Sequence, residues 1–265
     1  MKLSGKLAIV TGASRGIGRA LAKELARQGC GLLLTALEEN ELSAVSQEIR
    51  RKGLVPVEAM AVDLSSARDR KRLIDWILSR KNPPDILINN AGIGYFGRFE
   101  GADSTNIERT ITINVSALVH LTHDLIPILK TRPRSKIVNV SSASSRLPYP
   151  GLAIYGATKA FVSSLSQTLA AELEGTPIDV LCFHPGFTMT SFMESAGMDM
   201  RRVKKVLIHS PEEVAVQIVR AIQKDKHWGY SGFSTHLSVL LGTVLPMRLK
   251  TTLFERLCWR LSGVK

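Results

Sequence analysis

At 265 residues and 29.0 kDa the chain has room for one sizeable α/β domain and too little for two full ones. Its 45% hydrophobic and 22% charged residues exclude a chain that is disordered throughout. No stretch is expected to reach the ~18–20 apolar residues of a bilayer span, Leu237 to Leu245 being the longest candidate.

The net charge of +12 invites a nucleic-acid reading. The basic residues are scattered, however, over Arg50 to Lys52, Arg68 to Arg72, Lys130 to Lys136, Arg201 to Lys205 and the C-terminal segment. A solvated basic surface is expected, and no nucleic-acid partner. Cys30, Cys182 and Cys258 lie far apart with no CxxC pair, which fits a reducing compartment. Met1 to Lys6 leads directly into an apolar run, so no leader peptide is expected and the reading is cytoplasmic, with membrane association left open.

In chain order, short apolar runs alternate with amphipathic ones. The candidate strands are Leu7 to Val10, Leu32 to Leu34, Val55 to Val62, Ile86 to Ile88, Ile137 to Val140, Ile178 to Phe183 and a weaker Trp228 to Ser231. Near-continuous apolarity is what strands covered on both faces show. Between them, Ile17, Leu21 and Leu25 have helical spacing and stop at Gly29, and Leu42, Val45 and Ile49 stop at Gly53. Further helices are expected over 66–80, through Ile111, Val115, Leu118 and Leu125, over 154–174, and over 212–224 behind the cap Ser210-Pro211-Glu212-Glu213. The pattern is one α/β domain, a doubly wound parallel sheet of about seven strands with helices on both faces.

The first strand runs into Thr11-Gly12-Ala13-Ser14-Arg15-Gly16-Ile17-Gly18. Glycines at a strand-to-helix turn let the backbone approach a ligand and leave the helix N-terminus facing a pyrophosphate. The spacing is TGxxxGxG, and it resembles the cofactor turn of the short-chain dehydrogenase/reductase family, whose later motifs recur here in the same order over nearly the whole chain. That resemblance implies a Rossmann fold and an NAD(P)H-dependent oxidoreductase moving a hydride between nicotinamide and a carbonyl or alcohol. It places Gly12, Ser14, Arg15, Gly16, Ile17 and Gly18 at the cofactor, with Asp63 near the adenine and Asn90, Ala91 and Gly92 beside the adenosine half. Pro185, Gly186, Thr188 and Thr190 would hold the nicotinamide end, although Thr188 stands where the family commonly has a small aliphatic residue.

The choice of dinucleotide depends on the end of the second strand. An acid there binds the ribose 2′-OH and repels a 2′-phosphate, but the position is Ala36. Arg15 resembles the basic residue of NADP-using members, while Leu37 replaces a second basic residue and Glu38 could serve as a late acid. NADP is expected over NAD.

Reducing a carbonyl needs a positioned acid. Tyr155 and Lys159 stand four residues apart, on one helix face. A unit charge at ~4 Å with an effective dielectric near 20 is worth about 4 kcal/mol, or roughly three pKa units. Tyr149 has no such partner, since Ala153 follows it at that spacing. The resemblance makes Tyr155 the acid/base and has Lys159 also touch the nicotinamide ribose. It puts a serine thirteen positions before the tyrosine, which is Ser142, with Ser144 the fallback. Ser141 and Ser142 point to opposite sides of the strand and cannot both serve. Asn114 matches the family's helix asparagine, thought to kink the helix and hold a water of the proton relay.

Rival chemistries find little support. His184 adjoins the Pro185-Gly186 turn and reads as structural or as lining the site. His120, His123 and Asp124 lack a third well-spaced ligand, so no metal site is expected. Serine hydrolysis finds no support either. A non-catalytic dinucleotide sensor is the alternative in another class, which would not need Ser142, Tyr155 and Lys159 together.

The family's substrate loop corresponds to 187–210, where Met189, Phe192, Met193, Met198 and Met200 suggest an apolar pocket, with Phe96, Leu147, Pro148 and Tyr149 as further candidates. A dinucleotide-binding domain over 1–236 and an amphipathic extension over 237–265 are expected. Within 247–261, Leu249, Leu253, Leu257 and Leu261 form a row flanked by Phe254, with Arg248, Lys250, Arg256 and Arg260 off it. Such a helix fits packing on the same domain, a homodimer or homotetramer contact, or a membrane surface.

Overall fold

The computed structural model describes residues 1–147, 149–192, 196–197, 208–246 and 248–249. The expected extension over 247–261 therefore lies outside the described residues except for Arg248 and Leu249, as do Pro148, Met193, Met198 and Met200.

Seven parallel strands form one sheet in the order β3-β2-β1-β4-β5-β6-β7. They are β1 (Leu7–Thr11), β2 (Gly31–Ala36), β3 (Val57–Ala61), β4 (Ile86–Asn89), β5 (Ser135–Val140), β6 (Ile178–His184) and β7 (Trp228–Tyr230). Each expected run is a strand. Because successive residues face opposite ways, the strands supply two core layers. Ala8, Val10, Leu32, Leu34, Ile86 and Ile88 pack on one side with α1 (Gly16–Arg27), α2 (Glu39–Arg51) and α7 (Pro211–Gln223). Ile9, Leu33, Leu87, Ile137 and Val180 pack on the other with α3 (Ala67–Leu78), α5 (Leu118–Lys130) and α6 (Ala153–Glu172).

The terminators behave as their chemistry dictates. Gly29 and Gly53 take positive φ just past α1 and α2. Ser210 and Glu213 form a full capping box with Pro211 in the first turn of α7.

The helix expected around Ile111 to Leu125 is longer and less regular. α4 (Ser104–Ile111) passes through a π-helical turn, Thr112–Ala117, into α5. By length and composition this 27-residue run is apolar enough to cross a membrane, which corrects the expectation that no stretch qualifies. Its Leu121, Leu125 and Leu129 are buried against the sheet, as in the core helix of a folded domain.

A further helix, α8 (Gly232–Val244), follows β7 and runs across the 236/237 boundary expected for the extension. Lys136, counted among the surface basic clusters, is fully buried on β5 and pairs with Asp225 at 3.3 Å.

Asp85 ties the amino ends of three strands together. Its buried carboxylate accepts from Lys6 Nζ at 2.9 Å, Leu7 N at 2.9 Å and Arg132 Nε at 3.0 Å, while its carbonyl accepts from Lys136 N. Asp85→Ala should cost about 3 kcal/mol by leaving a backbone N–H and two cations without their acceptor. Denaturant midpoints at constant slope check this; a loss under about 1 kcal/mol would contradict the assigned role.

Candidate active site

The strand order reverses direction between β1 and β4, and a cleft of about 670 Å³ opens there at the carboxyl ends of the strands. Gly12, Ser14, Arg15, Gly16, Ile17, Gly18, Asp63, Asn90, Ala91, Gly92, Ser142, Tyr155, Lys159, Pro185, Gly186, Thr188 and Thr190 all line it. Of the expected catalytic and cofactor-binding residues, Asn114 alone is not among those lining it.

The floor is a close meeting of two turns. A Cβ on Gly18 would overlap the Gly12 carbonyl, and one on Gly12 would lie 2.9 Å from Ala91 Cα. Gly12 and Gly16 also have positive φ. Thr11 Oγ1 accepts from both Asn90 N and Ala91 N at 3.0 Å, and Asn90 Nδ2 donates to the Thr11 carbonyl at 2.8 Å. Asn90 therefore supports the glycine turn itself. The α1 N-terminus faces a cradle that side chains would fill, which suits a dinucleotide pyrophosphate.

At the end of the cleft beside β2, Ala36 is buried and Arg15, Leu37 and Glu38 are exposed along the rim. Asp63 accepts from Ser65 N at 2.8 Å and Ser65 Oγ at 2.7 Å. Burial raises its pKa, but the Ser65 bonds and nearby Arg109 and Arg70 outweigh it and hold the carboxyl below its usual value. Asn106 and Arg109 of α4 also line this end. Sequence reading missed both, because their positions mark them only as exposed helix residues.

Asn114 is buried in the π-helical turn. Its Oδ1 accepts from Ile93 N at 2.9 Å, and its Nδ2 donates to the Ile93 carbonyl at 2.9 Å and to Thr158 Oγ1 at 3.0 Å. It thus joins the loop after β4 to α6.

Ser142, Tyr155 and Lys159 meet at the centre. Ser142 follows β5 and its hydroxyl accepts from Ser144 N at 3.2 Å and Ser144 Oγ at 3.0 Å. Ser144 therefore braces Ser142. The Ser141 hydroxyl points the other way, to the Lys159 carbonyl at 2.9 Å and Ser163 Oγ at 2.7 Å. Lys159 Nζ donates to the Val140 carbonyl at 2.9 Å and lies 5.8 Å from the centre of the Tyr155 ring. Burial pushes the Tyr155 phenol up to about 12, with the Ser142 hydroxyl pulling the other way. Burial brings the Lys159 ammonium down to about 8. The lowering of Tyr155 by Lys159 expected at ~4 Å is thus absent from the protein alone, because desolvation dominates and the ammonium faces a carbonyl.

The end of the cleft lined by Pro185, Gly186, Thr188 and Thr190 is braced from outside. Gly186 N donates to Ser231 Oγ at 2.6 Å, and a Cβ on Gly186 would overlap Thr235 Oγ1 of α8. Thr188 forms a parallel bridge with His209. Tyr149, Leu152, Tyr155, Phe187, Phe192 and Ala196 give the adjoining part of the cleft an apolar wall, with Phe96 packed behind it and Phe192 5.2 Å from Tyr155 between ring centres.

His184 does not line the cleft. It is fully buried, 3.0 Å from Ser163 Oγ and 3.3 Å from the Gly229 carbonyl, and stacked on Trp228 and Tyr230.

The short chain dehydrogenase family matches residues 6–201. The chain belongs to that family, whose members are hydride-transferring, nicotinamide-dependent oxidoreductases. It is 35% identical over 231 residues to 11-beta-hydroxysteroid dehydrogenase A of Sesamum indicum, covering 83% of this chain and 66% of that one. A short-chain dehydrogenase from Sphingobium yanoikuyae in complex with NADPH is 31% identical with a TM-score of 0.82, over 89% of this chain and 92% of that one. A 3-ketoacyl-(acyl-carrier-protein) reductase from Brucella melitensis complexed with NADH is 28% identical with a TM-score of 0.77, over 86% and 96%. The chain spans only 18% of the glycine betaine reductase of Emericella nidulans, to which it is 32% identical over 85% of its own length.

Burial pushes the His184 imidazole down from 6.5 to about 4. In the unfolded chain it takes up a proton below about pH 6.5, whereas in the folded chain it stays neutral until about pH 4. Stability should therefore fall between pH 6.5 and 4 by on the order of 3 kcal/mol from this group. His184→Gln should flatten that acid limb in melts across the window; an unchanged limb would contradict it.

Proposed function

We propose that the chain is an NADPH-preferring carbonyl reductase or alcohol dehydrogenase for a bulky, apolar substrate. The observation that carries the reading is the convergence of Ser142, Tyr155 and Lys159 on one wall of the cleft that the glycine turn floors. Bound there, the dinucleotide supplies or accepts the hydride.

The chain's own groups handle the oxygen. In the reductive direction the Tyr155 hydroxyl gives its proton to the substrate oxygen as negative charge develops there. Ser142 Oγ–H donates a hydrogen bond to the same oxygen, held in place by Ser144. Lys159 Nζ, bonded to the Val140 carbonyl and 5.8 Å from the Tyr155 ring centre, is a nearby cation that would stabilise the phenolate once it moves closer to the phenol oxygen. A phenol near 12 is a reluctant acid, and each added positive charge near it moves it toward neutrality.

The preference for NADP rests on Arg15 at the exposed rim and on Ala36 where an acid would oppose a 2′-phosphate. Of the similar structures, the Sphingobium one holds NADPH and the Brucella one NADH. The apolar substrate rests on the ring-lined pocket of Tyr149, Phe187 and Phe192, and the sesame relative's name points to steroids of that kind.

Tyr155→Phe should lower kcat by about a thousandfold or more while NADPH binding, followed by its fluorescence, stays within about twofold. Retained turnover would remove Tyr155 as the acid. Arg15→Ala should weaken NADPH by about tenfold and leave NADH nearly unchanged. Equal weakening of both would refute the 2′-phosphate contact.

A further inference from the structure

The helix α8 (Gly232–Val244) has two unlike faces. Thr235 is buried against Gly186, Gly242 packs on Leu147, and Ser234 and Ser238 line the cleft. On the other side Phe233 is 79% exposed, Leu237 41%, Leu240 54% and Val244 76%. At 3.6 residues per turn these four fall within roughly 60° of arc. Gly232, at the start of the stripe, packs against His209, which the Thr188–His209 bridge ties to the loop after β6.

Four large apolar side chains on one stripe in water are not needed by the fold beneath them. Two features identify what covers them. The helix carries no Asp, Glu, Lys or Arg, so the stripe offers no charge to a protein rim. The sequence that follows is basic, with Arg248, Lys250, Arg256, Arg260 and Lys265 against the single acid Glu255, in a chain of net charge +12. Exposed apolar surface followed in sequence by excess positive charge matches a bilayer surface bearing anionic headgroups. The 13 residues of α8 extend about 20 Å, short of the ~30 Å hydrocarbon core, so the helix would lie in the interface.

We propose that the Phe233, Leu237, Leu240 and Val244 face of α8 docks the protein on an anionic lipid surface. The inner face of the same helix lines the cleft, so docking sets the cleft beside the lipid. This does not depend on the cofactor or substrate assignment above.

The test uses the full chain and flotation with phosphatidylcholine vesicles containing about 30% phosphatidylserine, with pure phosphatidylcholine vesicles as reference. Wild type should float with the anionic vesicles, more weakly with the neutral ones, and less as salt rises. L237E/L240E should reduce partitioning about tenfold, and L237S/L240S should do so less strongly. NADPH fluorescence titration on each variant certifies the folded cleft. Equal flotation of wild type and both variants would overturn the proposal, as would no flotation of any. So would a wild-type dimer without vesicle binding that the variants dissociate, because a second copy would then own the face.

Discussion

The turn after β1 must lie in contact with the turn after β4, and the rest of the cleft depends on that distance. Gly18 has no room for a side chain against the Gly12 carbonyl, and Gly12 has none against Ala91. Thr11 converts this proximity into register by accepting from two successive N–H groups of the opposite turn. Once the two turns are locked, the α1 N-terminus points into the cleft and the loop beginning at Gly92 passes above α6. Asn114 then holds that loop by both polar groups of Ile93. The π-helical turn that contains Asn114 is the backbone adjustment that brings it there.

Desolvation sets the electrostatics of the central pair. The Tyr155 phenol and the Lys159 ammonium are both shifted toward their neutral forms, the first up and the second down. Neutrality suits a cleft awaiting a charged ligand. The phenol keeps its proton, and added positive charge nearby is what would lower its pKa. Behind the pair, Ser141, Ser163 and His184 form a buried polar chain that joins α6 to β5 and β6. Each member is satisfied by another, so the cost of burying them is met by their mutual bonds.

Sequence made the sheet legible because apolar runs, glycine stops and the Ser210 cap are local signals. It also made the cleft-lining motifs legible, since TGxxxGxG and the Tyr155–Lys159 spacing are fixed by chain geometry over a few residues. What it could not disclose was tertiary. The distance between Lys159 Nζ and the Tyr155 ring follows from which carbonyl the ammonium finds, and Val140 lies on another element. Arg109 enters the cleft only because α4 is placed over it. The bracing of Gly186 by Ser231 and Thr235 joins residues about 45 positions apart, with no periodic trace. His184 sat next to a motif in sequence yet faces the opposite side of its strand, into the aromatic layer of β7.

The two faces of α8 also constrain one another through helical phase. One residue inserted between Thr235 and Leu237 would rotate everything beyond it by ~100°, carrying leucine toward the cleft where Ser238 stands and withdrawing the outer stripe from solvent. A deletion would do the converse. The segment can therefore vary in the size of its apolar side chains but not in its count, and its length is fixed by the cleft on one side and by solvent on the other.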